Sequence, residues 1–302
     1  MLPALLATLL FAGSVTAAGR TTRAMGSDRA NLWRILVATA VLGCWAFALG
    51  SGTGGGAFGW FFLSGVVGFG LGDLALYHSF PRIGPRLGAL MVNCLAAPFA
   101  AAIEWLWLGT TLSLLQALCS AVILGGVGLS LFPDRPSAVP TRQRWLGIVF
   151  GVIAGFGQGY GAVLSRRAFE AVAVGGVDVD GGSAAFQRLL GGLCFVLLRT
   201  AWLVWVARLS RNSRGNAAVF TLPPRGIWPM VLTNALAGPA IGVACFQWAL
   251  KTTPAGIVLP IVATTPLVVI PFTWVFDGDR PGWRAILGGV LAVLGVIGLT
   301  MV

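Results

Sequence analysis

The sequence predicts an all-α integral membrane protein, with ten transmembrane helices arranged as two inverted five-helix repeats. Three observations carry this. Of the 302 residues, 57% are hydrophobic and only 10% are charged, against about 25% charged in soluble domains. Mean hydropathy is +0.88, so too few charges remain to cover a soluble globule, and the apolar content excludes disorder. Apolar runs near the roughly 20 residues that a helix needs to cross the hydrocarbon core recur ten times. The arginines fall in alternate gaps between those runs, and the alternation changes phase midway.

The ten runs are Leu2–Ala18, Leu32–Leu49, Phe58–Phe80, Leu87–Leu108, Leu112–Phe132, Trp145–Ser165, Ala184–Trp205, Ile227–Leu250, Gly256–Phe276 and Arg284–Val302. Turn chemistry marks several gaps: Ser51–Gly56, Pro81–Pro85 and Asp277–Pro281. The first run has no positive residue before it, while Arg20 and Arg23 follow it. It therefore reads as a membrane helix and not as a cleaved secretory signal. Five cysteines lie inside apolar runs without paired spacing, and there is one histidine. That pattern excludes a disulfide framework and a zinc site, and no metal or cofactor is expected.

Net charge is +11, from nineteen arginines and Lys251. A basic balance can signal nucleic acid, but these cations sit between membrane runs, so no nucleic-acid partner is expected. The odd-numbered gaps hold most of them, namely Arg20, Arg23, Arg29, Arg82, Arg86, Arg135, Arg142, Arg144, Arg208, Arg211, Arg214, Arg225, Arg280 and Arg284. The even-numbered gaps hold Arg166, Arg167 and Lys251. Positive residues mark the cytoplasmic side, so both termini are expected outside, in a plasma (bacterial inner) membrane.

The halves, residues 1–132 and 145–302, repeat each other. Arg34 matches Arg188 at an offset of 154; Gly68-Phe-Gly-Leu-Gly72 matches Gly238-Pro-Ala-Ile-Gly242 at 170; Pro98 matches Pro266 at 168. Five spans per half is an odd number, so the second half must enter the membrane from the opposite side. The shift of charge to alternate loops agrees. Inverted repeats of this kind are a transporter architecture.

The stretch from Gly65 through Asp73, Tyr77 and Pro98 to Gly126, with its counterpart from Trp248 through Lys251 and Pro266 to Gly295, resembles the EamA-like family of the drug/metabolite transporter superfamily. The resemblance covers nearly the whole chain, with Arg34 and Arg188 near the start of the second helix of each repeat. It implies a secondary transporter of small metabolites, with a midplane cavity lined by spans one, three, four, six, eight and nine. The partners expected are a small-molecule substrate and the lipid bilayer, with protons if transport is proton-coupled, in a monomer or homodimer.

Ionisable groups inside a membrane face a cavity or a partner. Asp73 is the foremost candidate, either as a substrate or proton ligand or as a structural carboxylate paired to an arginine. Tyr77 lies one turn on. Asn93 shares a helix stripe with Ala97, Ala100 and Glu104, which suits a cavity wall; Glu104 beside Trp105 and Trp107 also reads as an interfacial carboxylate. Ser14 is the most polar inward residue of the first span. Gln158 and Tyr160 lie in the glycine-rich sixth span. Gln247 and Trp248 are the repeat mates of Tyr77 and His78. His78 reads as structural or as a relay, and Lys251 as an anion ligand or a surface anchor. Pro98 and Pro266 each remove a helix hydrogen bond in mid-span, giving paired kinks beside the cavity or simple packing kinks. No ATP-binding motif is present. An enzyme acting on a lipid-linked substrate would need clustered acids or metal ligands; the nearest set is Asp277, Asp279 and Arg280 in a tight turn. A non-transporting membrane subunit is the remaining alternative.

Overall fold

The computed structural model describes residues 2–108, 113–131, 139–176, 178–209, 220–252, 261–277 and 282–301. Among these, every regular element is helical. The elements are α1 (Leu2–Met25), α2 (Ser27–Ala48), α3 (Phe58–Gly65), α4 (Asp73–Leu108), α5 (Leu114–Leu131), α6 (Thr141–Val174), α7 (Gly181–Leu209), α8 (Trp228–Ala235), α9 (Ile241–Thr252), α10 (Thr265–Asp277) and α11 (Trp283–Thr300). Two π-helical turns, Val66–Gly72 and Leu236–Ala240, join α3 to α4 and α8 to α9. Gly109–Thr110, Arg135, Arg211, Arg214 and the Gly278–Arg280 turn lie outside the described residues, as do the side chains of Glu104, Arg208 and Asp277.

Among the described residues, six helical stretches are long and apolar enough to cross a membrane: Leu2–Met25, Ser27–Ala48, Phe58–Trp107, Thr141–Val174, Gly181–Val206 and Arg225–Ala249. Leu114–Ser130, Ile261–Phe272 and Trp283–Gly298 are shorter apolar helices. Large apolar side chains such as Leu9, Phe47, Leu106, Leu114, Leu198 and Trp202 stand on the outer surface. That much exposed apolar area is stable against lipid and not against water.

The helices run longer than the apolar runs. Arg20, Arg23 and Arg29 were expected in a gap; they stand on helix ends, because α1 continues to Met25 and α2 restarts at Ser27. Arg82 and Arg86 likewise lie on helix, and Arg166 and Arg167 on the extension of α6 to Val174. Helix continues into the interface because a helical backbone satisfies its own polar groups there. The turn expected over Pro81–Pro85 contracts to one residue, Gly84, at φ 82° and ψ 158°. Glycine alone takes that φ without strain, and Pro85, which needs no backbone N–H donor, opens the next helix.

The proline pair is also corrected. Pro98 lies inside α4. Pro266 instead occupies the first turn of α10, just after a break at Thr264 whose carbonyl accepts from Leu267 N (2.9 Å). A proline there loses no helix hydrogen bond, so the two are not matched kinks.

Helix α4 packs along α6, α2 along α7, and α5 along α11. The largest buried apolar cluster draws Leu32, Ile35 and Leu42 from α2, Phe186 and Leu189 from α7, Phe69 from the first π-turn and Val243 from α9. It therefore seams the two halves around the two π-turns.

Candidate functional site

The π-turns stand at repeat-matched positions, starting at Val66 and Leu236, 170 residues apart. In the first, the N–H of Asp73 bonds the carbonyl of Gly68; in the second, the N–H of Ile241 bonds that of Leu236. Both are i→i−5 bonds, so one extra residue is accommodated in each turn and the following side chains are re-aimed. Such bulges recur at functional sites.

The first π-turn delivers Asp73 to Arg34 of α2. The two form a hydrogen-bonded ion pair, with both side chains largely buried. The Arg34 guanidinium also lies 4.8 Å from the centroid of the Tyr77 ring. The Tyr77 hydroxyl accepts from Asn234 Nδ2 at 2.5 Å, and Asn234 Oδ1 accepts from Ser14 Oγ at 2.9 Å. One polar chain thus links α1, α2, α4 and α8, across both halves. Asn234 was not among the residues expected from sequence. A signal existed: its mate at the 170 offset is Ser64, which donates to Gly161 O at 2.6 Å and meets Ser165 Oγ at 2.9 Å.

Arg188 occupies the equivalent place on α7. It is 3% exposed, against 6% for Arg34. Its guanidinium lies 5.3 Å from the Phe69 ring centroid. Among the described residues it makes no hydrogen bond, and its Nε is buried without a partner, as is the Nε of Arg34. The repeat mate of Asp73 is Val243, buried in the apolar seam.

A separate, narrow cleft with about 40 Å³ of free space opens between the halves. Asn93, Ala97 and Ala100 of α4 face Gln158, Gly159 and Ala162 of α6, with Phe246 of α9 and Val262 and Ala263 closing it. Asn93 donates to Ala89 O one turn back (2.8 Å), which leaves its carbonyl oxygen for the cleft. Spans one and three, expected in the lining, hold the polar chain instead.

The expected residues therefore divide. Ser14, Asp73 and Tyr77 share the polar chain; Asn93 and Gln158 share the cleft. Gln247 is fully buried beside Phe246, with neither amide atom hydrogen-bonded among the described residues. Tyr160 packs edge-on to Trp107 at 6.2 Å. Trp248 is 53% exposed, outside both groups. His78 bonds Asp28 (3.0 Å), which also pairs with Arg199 (2.6 Å). Lys251 is held by Asp178 at 2.5 Å. Pro266 lines a different, smaller hollow with Arg86, Leu90 and Ile270.

A sequence model of the EamA-like transporter family matches residues 1–132 and 145–301. The chain belongs to the EamA-like transporter family. As such it is a multi-pass membrane transporter of the drug/metabolite transporter superfamily. No curated protein matches it. A solved structure described only as "Crystal structure of protein" is similar over 99% of this chain and 96% of its own, at 16% identity and a TM-score of 0.63. At that identity the likeness shows the fold alone. This EamA-like chain, which pairs one buried arginine and offers its mate no acceptor among the described residues, is thus asymmetric at its centre.

Proposed function

We propose that the chain is a secondary transporter that exports small metabolites such as amino acids across the plasma membrane, with ten spans working as two inverted repeats by alternating access. The observation that carries this reading is the cleft between the halves, narrow in this conformation and lined by groups that suit a small polar solute. Its walls are small residues, with one amide from each half, Asn93 and Gln158. Small walls leave room, and two amides supply both donors and acceptors to a polar solute. The matched π-turns support a motion in which the halves exchange roles, because each joins two helix segments at the seam. The outward direction rests on the family resemblance.

Asp73 is the group through which a proton would couple. Its pairing with Arg34 gives it a second role, as counter-ion, and the two roles separate by experiment. Purified protein in proteoliposomes is expected to exchange radiolabelled L-leucine saturably, and Asn93→Ala with Gln158→Ala to raise its KM. An Asp73→Asn protein whose flux keeps the same dependence on a pH gradient rules out the proton role. Absence of saturable flux for any solute in an amino-acid panel removes the transport reading.

A further inference from the structure

The two halves repeat a device and fill it differently. In the first half, Arg34 has Asp73 as acceptor and Tyr77 beneath it, and the Tyr77 hydroxyl is hydrogen-bonded. In the second, Arg188 has no acceptor among the described residues, Val243 stands where the carboxylate would be, and Gln247, the mate of Tyr77, is buried with both amide atoms unpaired. Two guanidiniums and one carboxylate leave the buried centre with one excess positive charge. Held away from water, such a charge is costly unless an anion joins it.

We propose that Arg188 is the binding site for the carboxylate of a monoanionic substrate, which supplies the counter-ion that Asp73 supplies to Arg34. This assignment rests on the transport reading and names its substrate class. A carboxylate fits for two reasons. It is the group that already meets the matched arginine, and guanidinium and carboxylate bond in a two-point fork. A single negative charge also neutralises the centre, whereas a dianionic phosphate overshoots.

The guanidinium is closely packed in this conformation, with less room beside it than a methyl group needs. A Cβ on Gly68 of the first π-turn would stand 3.3 Å from Arg188 Nη2, and one on Gly161 of α6 would stand 3.5 Å from it. Both positions carry no side chain. Gly159 and Ala162, two residues before and one after Gly161, line the cleft. One small-residue turn of α6 therefore separates the cleft from the guanidinium, and parting α6 from the π-turn joins them.

The test uses the full chain in lipid nanodiscs, melted by tryptophan fluorescence. The probes are sodium 4-methylpentanoate and sodium hexanoate, with 4-methylpentanamide, sodium phosphate and sodium chloride compared at equal ionic strength. Both carboxylates are expected to raise the melting temperature saturably, and the amide and inorganic anions to leave it unchanged. Arg188→Gln is expected to weaken the carboxylate effect by about 10- to 100-fold, the loss of one charge-assisted contact. Val243→Asp keeps Arg188 and builds the missing acceptor into the chain. It is expected to melt higher without ligand and to stop responding to carboxylates. The assignment is overturned if no carboxylate shifts melting, if the amide or phosphate acts as well as the carboxylates, or if the response survives both substitutions. Flux in proteoliposomes separates the two readings. Arg188-dependent binding without flux removes transport and leaves the site. Flux that is equal for carboxylate and amide, and unchanged in Arg188→Gln, removes the site and leaves transport.

Discussion

The centre of the first half and the centre of the second share a backbone and differ in chemistry. Each has a π-turn, at Val66–Gly72 and at Leu236–Ala240, and an arginine on the neighbouring helix. Around Arg34 the polar groups are joined, from Asp73 through Tyr77 and Asn234 to Ser14. Around Arg188 they are not joined: Val243 and the unpaired Gln247 replace the acid and the phenol. The lesson is that two halves with the same backbone frame carry different chemistry, an ion-paired arginine in one and, in the other, an arginine with no acceptor among the described residues.

The sharpest way to break that contrast is to remove charge from each side. Asp73→Ala strands a buried Arg34 and is expected to cost about 3–5 kcal/mol. Arg188→Met removes a charge that has no partner and is expected to be neutral or stabilising in the absence of ligand. Equilibrium unfolding of the purified protein in nanodiscs measures both, and equal losses would mean that Arg188 is as well paired as Arg34.

A second test concerns close approach at the seam. A Cβ on Gly65 would lie 1.7 Å from the carbonyl oxygen of Arg188 itself. Its mate in the second half is already alanine, Ala235. Gly65→Ala is therefore expected to push α3 off α7 and cost about 1–3 kcal/mol, read as a lowered melting temperature; an unchanged melting temperature would show that the two seams are equally roomy.

Tyr77→Phe removes the acceptor of Asn234 Nδ2 and leaves that donor buried, a loss of about 1–3 kcal/mol. Gln247→Leu, at the mate, deletes two unpaired polar atoms and is expected to cost nothing without ligand. Unfolding titrations of the two variants side by side test whether the joined chain is confined to the first half.

The smallest effect lies at the helix starts. Asp180 caps α7, accepting from Ser183 N at 2.9 Å and Ser183 Oγ at 2.5 Å, whereas its mate before α2 is Gly26 at φ 82°. Burial pushes the Asp180 carboxyl up, but the bonds from Ser183, Trp45 and Ser51 outweigh it and hold the pKa below the usual aspartate range. Its contribution is therefore complete above about pH 4, the unfolded value, and is lost as pH falls through the lower native value. Half-exposure keeps it small. Asp180→Ala is expected to cost about 1 kcal/mol near neutral pH, and the gap from the parent is expected to close on acidification, measured by melting between pH 3 and pH 7.

Much was legible before any coordinates. Apolar content and run length determined a helical membrane protein, because a chain with so few charges cannot face water and only internally bonded backbone can face lipid. The offsets near 170 determined the repeat, and intramembrane polarity singled out Asp73, Asn93 and Gln158. What the tertiary structure alone decided is who meets whom. Sequence spacing cannot foresee that a π-turn re-aims Asp73 onto Arg34, or that Asn234 reaches Tyr77 157 residues away, since both depend on helices from different halves packing together. Nor can it tell a paired arginine from an unpaired one. Arg34 and Arg188 look alike in the chain, and only the packing, which sets aspartate beside one and valine in the matched place by the other, makes them different.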